Sequence, residues 1–160
     1  MDSYKKQSHI ETREIDPTMN KLTEAVIGAA IEVHRHLGPG YLEATYEQAL
    51  CIELNLRGIA FDRQHPIHLI YKGHPVGEGK LDLLVDRRLI VELKAVDVLN
   101  HIHEAQVISY LKATGYDLGL LINFNVSTLV DGVKRIVYTK SIHERARRGD
   151  SLTRSFINAF

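Results

Sequence analysis

The chain has 160 residues, 44% hydrophobic and 25% charged, with twenty acids balancing twenty Lys and Arg. That is the composition of one ordinary globular domain with a real core, and zero formal charge removes bulk electrostatics as an argument for nucleic-acid binding, so any basic surface must be local. One cysteine, Cys51, excludes an intramolecular disulfide, and with neither a membrane-length apolar run nor a signal peptide the expected place is the cytoplasm, away from membranes.

Residues 1–18 are polar and read as a flexible arm, 19–140 as the folded domain, and 141–160 as a basic and apolar tail. Asp16-Pro17-Thr18 introduces a helix over about 19–36 with Leu22, Val26, Val33 and Leu37 on one stripe. Gly38-Pro39-Gly40 breaks it, and a second helix runs over about 42–56, with Gly58 as its C-terminal cap. Cys51 falls in its apolar pattern and reads as a small core residue. Strand signals follow at 67–71, 81–85 and 89–94, then a third helix over about 101–113 and strands at 118–124 and 133–139. The order α-α-β-β-β-α-β-β predicts an α/β (α+β) domain, a mixed sheet with helices on its faces.

The richest stretch is Asp82 to Lys94. Its two strands are separated by Asp86-Arg87-Arg88, so Val85 pairs with Leu89 and the register sets Asp82 opposite Glu92. Opposed residues have Cβ atoms about 4.5–5.5 Å apart, and two carboxylates that close repel unless a positive charge joins them. A divalent cation answers this, with Lys94 on the face of Glu92 at its rim. A solvated pair on an edge strand has the same local sequence. The second arm, Leu-Ile-Val-Glu-Leu, is apolar on both faces apart from Glu92, which points to a buried strand, where an acid needs a partner or a metal.

Three further groups bear on chemistry. Glu43 opens the second helix, where an acid suits the helix dipole and where it could also be a third carboxylate for the metal. Gln106 and Tyr110 lie i, i+4 on the third helix, an amide and a phenol able to bind phosphate or a base edge without net charge. Lys112 on the same helix reads as solvated. His101 and His103 diverge on a helix and make a poor zinc pair, and His34 reads as a dipole or capping residue at the C-terminal end of its helix, with a ligand role on the metal of Asp82 left open.

Together these residues resemble the GxxExxY proteins, a branch of the PD-(D/E)XK nuclease superfamily. The motif is present as Gly40, Glu43 and Tyr46, followed in order by Lys80–Val85, Ile90–Val96, His103–Gln106, Tyr110–Gly115 and Gly119–Phe124, over roughly residues 20–138. The resemblance implies a restriction-endonuclease-like core with catalytic Asp82, Glu92 and Lys94. Gln106 and Tyr110 match the Gln-x-x-x-Tyr of exonuclease-like branches, as substrate-binding residues, and Glu43 matches a helical acid near the metal. Leu81 stands where the superfamily name has Pro. The activity implied is hydrolysis of phosphodiester bonds in nucleic acid, DNA before RNA, with Mg²⁺ or Mn²⁺ held by Asp82, Glu92, the Leu93 carbonyl and Glu43. Arg87 and Arg88, or Lys134, Arg135 and the C-terminal arginines, are candidate phosphate contacts, although a solvated surface explains them as well. The alternative is a catalytically inactive nucleic-acid- or protein-binding module on the same fold, and a homo-oligomer is compatible with either.

Overall fold

A computed structural model describes the protein over residues 15–138. The polar arm before Ile15 and the C-terminal segment with Arg145, Arg147, Arg148 and Arg154 lie outside the described residues. Helix α1 (Pro17–Leu37) starts on Asp16, whose carboxylate accepts the Thr18 N–H at 2.9 Å, with Pro17 in the first turn where a missing N–H costs nothing. Helix α2 (Glu43–Leu56) ends at a left-handed Gly58: the Gly58 N–H returns to the Asn55 carbonyl and the Ile59 N–H to that of Leu54. Strands β1 (Phe61–Tyr71), β2 (His74–Val85) and β3 (Leu89–Lys94) follow, then helix α3 (His101–Thr114), β4 (Leu118–Asn123) and β5 (Val133–Val137). The element order is the one expected, but β1 and β2 extend well beyond the strand signals.

The strands lie in the order β1-β2-β3-β4-β5, antiparallel throughout except for β3 and β4, which run parallel with α3 as their crossover. This is a mixed α+β sheet. One face packs on α1 and α2 through Val26, Ala30, Leu50, Leu54, Val91 and Leu93. The other packs on α3 through Leu84, Ile90, Val107, Leu111 and Leu121. Cys51 is buried in the first of these cores, as its apolar setting suggested. β3 is therefore central and covered on both sides, the environment its sequence called for.

One irregularity shapes the site. Leu83 faces α1 and α2, yet Leu81, two residues earlier, faces α3. A regular strand would put both on one face. Opposite this point Gln64 on β1 has φ +51° and falls between the pairs Arg63↔Leu83 and His65↔Leu81. A non-glycine residue held there costs on the order of 1–3 kcal/mol. The twist turns the outer β1–β2 hairpin onto α3, and Asp82 sits at the pivot.

Tyr46, the last residue of the GxxExxY motif, is fully buried. Its hydroxyl donates to the Gly38 carbonyl at 2.6 Å and accepts the Tyr41 N–H at 3.1 Å, while its ring stacks on Phe124 at 4.5 Å. The motif's tyrosine thus fastens the α1–α2 connection that delivers Glu43. Tyr46→Phe should destabilise the fold by about 1–3 kcal/mol, because two backbone groups lose their partner. Urea unfolding measures this, and a change within about 0.5 kcal/mol would show that the latch contributes nothing.

Candidate active site

The β2–β3 hairpin is closed by Asp86 and Arg87, both with positive φ, and by the Arg88 N–H returning to the Val85 carbonyl. The ladder runs Val85↔Leu89, Leu84↔Ile90 and Leu83↔Val91, the register expected from the three-residue connection. The next pair in that register is Asp82 and Glu92. There backbone pairing stops and side chains replace it: Glu92 Oε1 accepts the Asp82 N–H at 3.1 Å, and Asp82 Oδ2 accepts the Leu93 N–H at 2.8 Å. In a strand the N–H and C=O of one residue point to the same side. The Leu93 carbonyl therefore turns toward the gap beside Asp82, while that of Lys94 faces β4 and accepts the Phe124 N–H.

Glu92 is only 2% exposed. Burial, reinforced by the charge of Asp82, pushes its carboxyl up to about 9. Asp82 is raised as well, chiefly by burial, with partial relief from the Leu93 N–H and from a hydrogen bond with Glu92. At neutral pH the pair accordingly holds a proton that Glu92 donates toward Asp82. A cation placed between them supplies the same compensation, and hard carboxylate and carbonyl oxygens suit a divalent ion such as Mg²⁺. Among the described residues no three His, Cys, Asp or Glu side chains converge into a preformed ligand cluster. The donor set at this point is two carboxylates and a carbonyl.

The remaining predicted residues surround this pair. Glu43, in the first turn of α2, is raised by burial and then by the charge of Asp82, with Lys94 acting in the opposite sense. Lys94 is half-buried, and no ion pair engages its ammonium among the described residues. On α3, Gln106 donates its Nε2 to the Tyr110 hydroxyl at 3.1 Å. Tyr110 is raised by burial and by the charges of Glu92 and Asp82, so its phenol stays protonated beside the acids. Helix α3 is set by Asn100, which caps the Ile102 N–H, while His103 Nδ1 accepts the Asn100 N–H in return.

The other residues singled out in the sequence take structural or surface roles. His34 is no helix-end cap in its side chain: it donates Nε2–H to the Val126 carbonyl at 2.7 Å, pinning the loop after β4 to α1. His36 pairs with Glu32. Lys112 lies over the Tyr138 ring, a surface role. Arg88 is engaged by Asp86 and Thr18, Arg135 by Asn20, and Lys134 by Glu104.

Two features have no counterpart among the sequence expectations. Glu47, one turn after Glu43, is 6% exposed and takes Arg63 Nε at 2.5 Å and Gln64 Nε2 at 3.0 and 3.2 Å. An acid inside an apolar helical stripe was the available signal. Asn123, also buried, holds the Val96 N–H at 3.0 Å and carbonyl at 2.8 Å, steadying the chain just beyond Lys94.

A mixed sheet between helices, with paired acids where two strands part and a lysine two residues on, is the design of restriction-endonuclease-like domains. A family model described as the PD-(D/E)XK nuclease superfamily matches residues 20–136, and the chain belongs to that superfamily. Its members are nucleases acting on nucleic acid, generally with divalent metal ions. A comparison with curated proteins finds no match.

Proposed function

We propose that this protein is a metal-dependent nuclease of the GxxExxY branch, hydrolysing phosphodiester bonds in DNA in preference to RNA, with Mg²⁺ or Mn²⁺ as its cofactor. The observation that carries this reading is the buried Glu92 carboxyl facing Asp82, which needs a proton or a cation at neutral pH. Asp82, Glu92 and the Leu93 carbonyl are the oxygens that would hold the ion, with Glu43 as a further acid from α2. When bound, the ion supplies polarisation of the phosphate and a lowered pKa for attacking water.

The chain's own residues do the rest. Lys94 orients the water and balances charge growing on the phosphate, a preorganised electrostatic contribution. Because Gln106 donates to the oxygen of Tyr110, the phenolic proton is left to donate outward, toward a phosphate of the bound strand. Asn123 keeps the end of β3 from shifting these groups.

Calorimetric titration with Mg²⁺ and Mn²⁺, beside a cleavage screen on single-stranded, duplex and branched DNA and on RNA, tests the reading. Wild type should bind and cut; Asp82→Ala should lose both. Absence of any binding heat for wild type would overturn the metal site, and binding of nucleic acid without cleavage of any substrate would leave a non-catalytic module.

A further inference from the structure

Resting on that nuclease reading, we propose that Arg63 grips the phosphate backbone of the strand being cut, held ready by Glu47 and Gln48. Arg63 lies on β1 directly across from Leu83, the residue after Asp82. Its Nε donates to Glu47 at 2.5 Å and its Nη1 to Gln48 at 2.7 Å, both on α2. Two fixed nitrogens set the plane of the guanidinium. Nη2 has no partner among the described residues, and the side chain is 40% exposed. A planar fork with its orientation already fixed and one edge open is the geometry that binds phosphate oxygens.

Its place matters as much as its shape. Glu47 adds to the negative field felt by both Asp82 and Glu43, so Arg63 is seated on the acidic cluster itself. Glu43, Glu47, Asp82 and Glu92 act on one another through their charges in this region, against Lys94 and Arg63. A polyanion approaching such a cluster needs fixed positive charge beside it. Arg88 and Arg135 are engaged elsewhere on the molecule. Both oxygens of Glu47 are engaged, Oε1 by Arg63 and Gln64 and Oε2 by Gln64, which makes it a positioning residue for Arg63.

The experiment is oligonucleotide binding by fluorescence anisotropy over a range of salt, with Ca²⁺ replacing Mg²⁺. Arg63→Met strands a buried charge on Glu47, so the double variant Glu47→Gln/Arg63→Met accompanies it, with thermal melting of both. Loss of one phosphate contact should weaken duplex binding about tenfold and flatten the slope of log K against log salt by about 0.9. Arg63→Lys should keep the slope and bind with intermediate strength. An unchanged slope in the folded double variant overturns the proposal and leaves Arg63 as a structural partner of Glu47. If wild type cuts DNA but that slope is unchanged, only this inference fails; if the slope falls but nothing is cut with Mg²⁺ or Mn²⁺, the hydrolytic reading fails and the grip stands. Wild type that binds no nucleic acid overturns both.

Discussion

Lys94→Ala should slow cleavage by about a thousandfold while leaving Mg²⁺ or Mn²⁺ binding within a few-fold of wild type. The size follows from removing one preorganised charge aimed at the reacting phosphate, typically about 10²–10³ in rate, or roughly 3–4 kcal/mol. The separation from metal binding follows from position. Lys94 follows Glu92 on the same face of β3, and its ammonium makes no ion pair with the acids, so they keep their geometry without it. Its charge also favours the ionised forms of Asp82, Glu92 and Glu43, opposing a second cation. Removing it should therefore tighten metal binding slightly. Single-turnover cleavage and calorimetry on the same preparation give the answer, and turnover within tenfold of wild type would remove Lys94 from the chemistry.

Glu92→Gln should make the metal-free protein more stable at pH 8 and abolish metal binding. The carboxyl has its ordinary value of 4.5 in the unfolded chain and about 9 in the fold. Between those values the native state holds the extra proton, so stability falls as pH rises from about 4.5 to about 9. The penalty at pH 7 is on the order of 3 kcal/mol, since each tenfold fall in proton concentration above the unfolded value costs about 1.4 kcal/mol. Glutamine carries no charge, and its amide oxygen can still accept the Asp82 N–H. The variant's urea midpoint should thus match wild type near pH 4 and exceed it increasingly toward pH 8. Asp82 and Glu43 are shifted in the same direction and leave a shallower slope of the same sign. Saturating Mg²⁺ should restore wild type and leave the variant unmoved. Parallel pH profiles for the two proteins would show that Glu92 is not the group under strain.

How much of this could be read from residues alone varies with the range of the interaction. The β2–β3 register was legible because Asp86-Arg87-Arg88 fixes a loop length and the two arms alternate or fill both faces. The burial of Glu92 followed from Leu89, Ile90, Val91 and Leu93 around it. Helix periodicity placed Gln106 beside Tyr110. The first halves of β1 and β2 were not legible, since Asp62-Arg63-Gln64-His65-Pro66 has no apolar alternation and Pro75, Gly77 and Gly79 read as turn residues; the long pairing of one strand with the other overrides those local preferences. The partnership of Glu47 with Arg63 joins residues sixteen positions apart across a helix–sheet boundary, and no local pattern announces it or the twist at Gln64. The bond of His34 to Val126 was hidden for the same reason, its partner being 92 residues away.

The three-pair ladder between β2 and β3 has a consequence for how such a domain can change over time. Before Leu83 the backbone ladder of β2 runs to β1 alone, with only the side-chain bonds of Asp82 and Glu92 reaching β3, whereas Glu92 and Lys94 belong to a strand clasped by β4 along its whole length. The hairpin's base is packed on α3 through Ile67 and Leu81, but its tip over 71–78 is exposed, and the length of that tip can drift or be exchanged without disturbing β3. Tuning of what the protein touches is thereby separated from the strand that supplies Glu92 and Lys94, with Asp82 and Arg63 standing at the joint.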